Sequence, residues 1–252
     1  MSREYGASSI KLEDFSSMSD EYKKYVIRLL SMQAYAERLG TLEVSKWLNI
    51  APTSKQRRVL AQVIADEAKH SYYLYRELDK IGVSEQYALD IAEGKTNQGP
   101  DKHAMEGPLS VGDDDNEWPD IILNAMLLDR AGKHMLKNNT QCSYEPWAKV
   151  NQRILVDEYR HEGFGLQEFK QIIKDKKYSD TLKEKFNIWY ARALNFFGPP
   201  PGKTHKKLLE YGLKKKNNEE LRKDFSDEVS NILTKLGLKN YISLSTDCYP
   251  FR

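Results

Sequence analysis

The chain spells Asp-Glu-x-basic-His twice, as Asp66-Glu67-Ala68-Lys69-His70 and as Asp157-Glu158-Tyr159-Arg160-His161. On a helix, Glu and His three residues apart lie on one face about one turn from each other, so both can reach a common ion inside a bundle. With 37 acidic residues and 5 histidines, on the order of one carboxylate-x-x-His pair arises by chance, so a single copy would decide little. Two copies decide more, because each follows another helical carboxylate at nearly the same distance. Glu37 stands 30 residues before Glu67, and Asp129 stands 29 before Glu158. The contexts Glu-Arg-Leu-Gly and Asp-Arg-Ala-Gly extend the likeness, and the chain reads as a degenerate repeat of two helix pairs. That pattern predicts an all-α four-helix bundle.

Neighbouring residues predict which way these acids point. Leu30, Ala34, Gly40, Val44 and Leu48 share the face of Glu37, and Leu60, Val63, Ile64, Leu74 and Leu78 that of Glu67. Ile122, Ala125, Met126 and Leu136 accompany Asp129, while Ile154, Leu155 and Phe169 accompany Glu158. All four carboxylates therefore point inward. Burying them alone is very costly, and a pair of cations neutralises them while completing its own coordination. Carboxylate-rich ligation with one imidazole per ion suits two iron ions, or manganese, whereas zinc favours more His or Cys. A neutralised, hydrogen-bonded network without metal is the alternative. Asp66 and Asp157 are either surface acids or the groups that accept the outer imidazole N–H, Asp66 from His161 and Asp157 from His70. Gly40 and Gly132, each three residues after its carboxylate, either leave room for dioxygen and substrate or permit close helix packing.

Apolar recurrence at three and four residues runs from about Asp20 to Leu48. Pro52-Thr53 then supplies a stop and an N-cap for a helix that ends near Ile81, at Gly82. The stretch from Gly94 to Glu117, with its prolines and Asp113-Asp114-Asp115, predicts a long connection. Helical patterning returns from Trp118 to Lys137, from Pro146 to about Lys176, and beyond Tyr178 to Phe197. After the turn Gly198-Pro199-Pro200-Pro201-Gly202 come two Lys-rich helices and an irregular tail. One domain over residues 1–252 is predicted, with a bundle core at about 20–176 and a C-terminal helical extension at about 178–240. The two cysteines, Cys142 and Cys248, lie far apart without C-x-x-C spacing, which excludes an iron–sulfur cluster, a zinc ribbon and a disulfide framework and fits a reducing cytoplasm. No run approaches the roughly 18 apolar residues of a membrane span. A net charge of +2 is too balanced to predict a nucleic-acid partner.

Three further blocks carry a family resemblance. Asp66-Glu67-Ala68-x-His70 leading into Tyr73-Leu74-Tyr75 is one, and Cys142-Ser143-Tyr144-x-Pro146-x-Ala148 ahead of Glu158-x-x-His161 is the second. Phe196-Phe197-Gly198-Pro199-Pro200 is the third. From about Glu37 to Pro200 the chain resembles the oxygenase subunit of the bacterial multicomponent phenylacetyl-CoA epoxidases, which are ferritin-like di-iron proteins. The resemblance implies iron ligation by Glu37, Glu67, His70, Asp129, Glu158 and His161, all of which are present. It sets the chain apart from the metal-free structural paralogue found in the same complexes. Two departures stand out: the chain is shorter than typical members, and Val63, one turn before Glu67, stands where the bacterial enzymes are expected to carry lysine.

The implied reaction is reductive activation of dioxygen and insertion of one oxygen atom into an aromatic or other acyl-CoA thioester. No flavin or dinucleotide fingerprint occurs in the sequence, so a separate NAD(P)H-dependent reductase is expected, together with a structural paralogue subunit or a homodimeric partner. Gly40, Gly132, Val63 and Met126 are the residues expected nearest the substrate. Lys206 and Lys207, in a basic cluster with Lys203, His205 and Lys214-Lys215-Lys216, are read three ways: as a site for coenzyme A phosphates, as a dock for an acidic subunit, or as a solvated face. Leu74, four residues after the first motif's histidine, stands where a radical-generating ribonucleotide reductase subunit would carry tyrosine. A rubrerythrin would need a cysteine-rich domain, and a ferritin-type oxidase would not need the second histidine. Another di-iron hydroxylase or desaturase, and a non-catalytic scaffold subunit, remain as rivals.

Overall fold

A computed structural model describes residues 5–97 and 117–243. Most of the connection expected at 94–117, its acidic run, Cys248 and the tail lie outside those residues. Four long helices form the bundle. Helix α1 (Asp20–Lys46) starts at the Ser19 side chain, which accepts from Tyr22 N. Helix α2 (Ser54–Asp79) starts at Thr53, which accepts from Gln56 N as its position after Pro52 predicts, and Gly82 follows it at φ +79°. A short helix α3 (Glu85–Ala92), capped by Ser84, lies between this turn and the undescribed stretch. The third long element, α4, has α-helical segments Trp118–Leu123 and Asp129–Asn139 joined by a π-helical turn, Asn124–Leu128. Helix α5 (Glu145–Ile172) starts with Pro146 in its first turn. It ends four residues earlier than its sequence pattern suggests, where Asp175 caps a 3₁₀ turn at Lys176–Tyr178.

Three helices extend the bundle: α6 (Leu182–Phe196), α7 (Lys203–Glu210) and α8 (Asn218–Lys235). Among the described residues the only extended pairing is an isolated bridge between Ile10 and Tyr144. The all-α bundle with added C-terminal helices is therefore the observed architecture. No described helix is long and apolar enough to cross a membrane.

Two sequence blocks serve as fasteners. Cys142 and Ser143 accept from Ser8 N and Ile10 N, and the Tyr22 hydroxyl meets Ser143 Oγ at 2.9 Å, so the Cys142-Ser143-Tyr144 block pins the N-terminal segment across the bundle end. Gly198, at φ +84°, ends α6 in a left-handed turn. The Arg222 guanidinium on α8 donates to Leu194 O and Gly198 O, and Asn218 Nδ2 donates to Pro199 O.

Apolar packing falls into two clusters. One gathers Val44, Trp47, Val63, Met126, Phe169, Trp189 and Phe225, and the other Tyr22, Leu30, Ala34, Leu74, Leu136, Trp147 and Ile154. On each long helix the predicted ligands fall between members of the two. A polar layer thus interrupts the core at one level of the bundle.

Lys214 departs from the solvated face expected for the Lys-rich stretch. It is buried, and its ammonium donates to Asn218 Oδ1 at 3.0 Å. Burial, aided by nearby Arg222, lowers its pKa to about 8. An unfolded lysine keeps its proton up to about 10.5. Between pH 8 and 10.5 the unfolded chain therefore binds more protons, and stability from this group rises with pH. Lys214→Met is expected to stabilise the protein at pH 7 by about 1–2 kcal/mol, after the lost Asn218 bond is counted. Urea unfolding should show that advantage shrinking by pH 10.

Candidate metal centre

Helices α1 and α2 run antiparallel and bring Glu37 against His70. Helices α4 and α5 do the same for Asp129 with Glu158 and His161. The donor atoms of Glu37, Glu67, His70 and Glu158 lie within 4.8 Å of one another, as do those of Asp129, Glu158 and His161. Glu158 belongs to both groups and sits between them. The structure thus gathers all six residues of the sequence reading in the polar layer.

Both imidazoles are oriented alike. His70 Nδ1 stands 3.3 Å from Glu37 Oε2 and 3.6 Å from Glu158 Oε1. His161 Nδ1 stands 3.4 Å from Glu67 Oε1 and 3.5 Å from Glu158 Oε1. Neither Nδ1 atom has a well-formed hydrogen bond, although both are buried. On the outer side, His70 Nε2 meets Asp157 Oδ2 at 3.1 Å and His161 Nε2 meets Asp66 Oδ2 at 3.4 Å. Each acid crosses to the histidine of the other motif. With the outer nitrogen donating to a carboxylate, a neutral imidazole presents its Nδ1 lone pair to the cluster, which is how an outer acid fixes a ligand's tautomer.

Charge balance points the same way. Burial lifts Glu67 well above the usual carboxylate range, with Glu158 and Glu37 adding to the effect against the hydrogen bond from His161. Burial and then Glu158 raise Asp129 to about 7. Burial works against protonation of His70, yet Glu37 beside it carries that group up to about 9. His161, opposed by burial in the same way, is carried to about 12 by Glu158 and Glu67. Four carboxylates crowd one dry layer, and the burial and mutual repulsion that raise Glu67 and Asp129 are what a pair of cations would relieve. Two orphaned imidazole nitrogens and this donor set fit a pair of divalent cations.

The outer acids are anchored in turn. Lys69 Nζ lies 2.8 Å from Asp66 and 2.7 Å from Asp157, and Arg160 contacts both acids. Burial would raise Asp157, but the bonds from Lys69 and His70 outweigh it and hold the carboxyl at about 2.

Gly40 and Gly132 differ despite their matched positions. A Cβ on Gly40 would come 2.8 Å from Glu67 Oε2, so this glycine makes room for the carboxylate itself. A Cβ on Gly132 would meet only Phe196 Cε1, at 3.9 Å, an ordinary packing distance. Gly40→Ala is expected to weaken metal binding about tenfold by displacing Glu67, and Gly132→Ala to leave it unchanged, in anaerobic ferrous titrations of both variants.

Val63 and Met126 are buried in the apolar cluster on one side of the layer. Lys206 and Lys207 are not brought to the centre. Lys207 pairs with Glu210 and lies near the Tyr211 ring, whose hydroxyl bonds Glu21. Glu21 lies in the first turn of α1, 16 residues or about 24 Å of helix before Glu37. The sequence reading missed the brace behind Glu37. Gln33 Nε2 donates to Glu37 Oε1 and Asn151 Oδ1, while Gln33 Oε1 accepts from Trp147 Nε1 at 2.7 Å. Its one signal was an amide one turn before Glu37 on an otherwise apolar face. Also missed was Gly165: its Cβ position lies 2.5 Å from Met126 N, so the π-helical turn before Asp129 packs straight onto α5.

Comparison with known proteins identifies the fold and the family. A curated relative, a component of the 1,2-phenylacetyl-CoA epoxidase of Escherichia coli (strain K12), is 25% identical over 239 residues, covering 92% of this chain and 74% of its own. Among solved structures, a point mutant of an R2-like ligand-binding oxidase with an anaerobically reconstituted Mn/Fe cofactor superposes with a TM-score of 0.56 at 18% identity. That match covers 94% of this chain and 86% of the other, and the shared fold is the ferritin-like bundle. Residues 2–240 match the family described as phenylacetic acid catabolic protein, and the chain belongs to that family.

Proposed function

We propose that this chain is the oxygenase subunit of a phenylacetyl-CoA epoxidase-like complex, holding two iron ions, or manganese in their place, through Glu37, Glu67, His70, Asp129, Glu158 and His161. The observation that carries this reading is the pair of buried Nδ1 atoms that face the shared Glu158 while their outer nitrogens rest on Asp157 and Asp66. The name of the Escherichia coli relative supplies the substrate class, an aryl acyl-CoA thioester.

When bound, the reduced metal pair supplies dioxygen activation, one oxygen atom entering the substrate and the other leaving as water. The protein's own part is positional. Asp66 and Asp157 keep both imidazoles in the Nε2–H tautomer, and Lys69 and Arg160 keep those acids ionised. Val63, Met126 and Leu128 wall one side of the layer with apolar surface that excludes water. Two electrons per turnover come from a separate NAD(P)H-dependent reductase. A single turnover tests the reading: the ferrous-loaded chain, given oxygen and phenylacetyl-CoA, should yield a product heavier by one oxygen atom. Unchanged thioester would contradict it.

One observation favours a second reading. Protonated His70 and His161 can pair with Glu37, Glu67 and Glu158 as a closed ionic network, which would suit a metal-free scaffold subunit. A chain that takes up no iron under anaerobic ferrous reconstitution would select it.

A further inference from the structure

Lys69 and Arg160, the basic members of the repeated motif, offer no ligand atoms to a metal. Each instead touches both outer acids, and each acid touches one imidazole. Lys69 is 36% exposed and Arg160 60%. Only one carboxylate and one imidazole therefore separate these surface cations from the Nδ1 atoms, which is a short hydrogen-bonded path from solvent into the centre.

The same seam between the antiparallel helices α2 and α5 continues as a groove. It opens into a cavity of about 350 Å³ lined by Tyr73, Arg76, Lys80, Lys149 and Arg153, among others. Lys80 is paired with Glu77 and Lys149 with Glu145. The Arg76 guanidinium lies over the Tyr72 ring, and among the described residues neither it nor Arg153 has a carboxylate partner. Tyr72 on α2 and Val156 on α5 are exposed large side chains beside this seam. The face thus combines surplus positive charge with aromatic and aliphatic surface, the composition of a protein-docking patch.

We propose that this α2–α5 face docks the electron-donating domain of the reductase, an acidic redox protein carrying an iron–sulfur or flavin group. The inference rests on the di-iron reading above and assigns the point of electron entry. Its cations extend from Lys80 and Lys149 to Lys69 and Arg160, eleven residues or about 17 Å of helix, which is too long for one phosphate group and suits a protein surface. In each encounter the donor would lose one electron and the metal pair, when held by the six residues, would accept it, so two encounters would supply one turnover. Opposed charges steer such encounters and raise their rate by about 10–10³-fold at low salt.

The test uses the full chain and a reduced plant-type [2Fe–2S] ferredoxin as the acidic probe. Binding of the oxidised ferredoxin to metal-free chain should weaken with salt, and at least tenfold in the double variant Arg76→Glu/Arg153→Glu. With iron loaded, stopped-flow reduction by reduced ferredoxin should slow by a similar factor, while iron content and reduction by dithionite stay at wild-type values. Lys206→Glu/Lys207→Glu, on α7 and outside the groove lining, should change neither. Wild-type chain that does not bind the ferredoxin, equal binding by the charge-reversed variant, or displacement of the ferredoxin by coenzyme A would overturn the assignment. Because the binding arm needs no metal, absence of iron uptake would count against the di-iron reading alone.

Discussion

Glu158→Gln is expected to lower the metal content from two ions per chain to fewer than one after anaerobic reconstitution and desalting. Glu158 is the only residue in both donor groups, and its Oε1 lies 3.6 Å from one imidazole Nδ1 and 3.5 Å from the other. The amide keeps the shape but removes a charge, so both ions lose a donor from one change. Loss of a merely outer group such as Asp157, by Asp157→Asn, is expected to cost about 10–100-fold in affinity, and loss of Glu158 more than that. Metal-free Glu158→Gln protein should melt lower than metal-free wild type, because Glu158 pairs with both imidazoles. Elemental analysis with thermal melts in chelator separates the two effects. A Glu158→Gln variant that retains two ions would place the metals elsewhere.

Glu228→Ala is expected to destabilise the protein by about 3 kcal/mol and to lower the melting temperature by about 6–12 °C in calorimetry. Arg130 and Lys133 on α4 are buried, with side chains 4% and 3% exposed. Two carboxylates face them. Glu162 on α5 lies 3.0 Å from Arg130 and 2.6 Å from Lys133, and Glu228 on α8 contacts both and meets His134 Nε2 at 2.7 Å. Without Glu228, two buried cations would share one anion. Breaking a buried pair costs more than the pair itself contributes, because a charge is left unbalanced away from water. Glu228 is 31% exposed, which keeps the expected loss at the lower end. Arg130 and Glu162 each adjoin a residue of the centre, Asp129 and His161, so metal affinity should fall together with stability.

These two residues differ in how visible they were in the sequence. Glu158 was legible because helical ligands obey a local rule: Glu and His three apart share a face, and apolar neighbours at three and four residues show which face turns inward. The repeat supplied Glu37 and Asp129 by the same logic. Thr53 and Gly82 marked the ends of α2 through capping chemistry that acts within a turn. The crossing of Asp66 to His161 and Asp157 to His70 needed only the assumption that two copies face each other.

Glu228 carried no such signal. It lies 98 residues from Arg130, on a helix with many charges, and only packing selects it from its neighbours. The Gln33–Trp147–Asn151 brace is likewise tertiary. The π-helical turn at Asn124–Leu128 preserves the apolar pattern of an α-helix, and the one residue that reveals it, Gly165, lies on another element. Gly40 and Gly132 have equivalent places in the repeat, yet only Gly40 has a carboxylate against it. Lys214 looked like part of a solvated run until the turn after α7 buried it. Local periodicity fixes faces and ends, whereas what lies opposite a face is decided by the other helices.

That six residues hold two ions in the polar layer between the apolar clusters is tested most directly by anomalous diffraction at the iron edge, from crystals soaked anaerobically with ferrous salt. Two peaks per chain are predicted, one bonded to His70 Nδ1 and the other to His161 Nδ1, with Glu158 reaching both. No peak in the layer, or one held without either histidine, would contradict the six-ligand assignment.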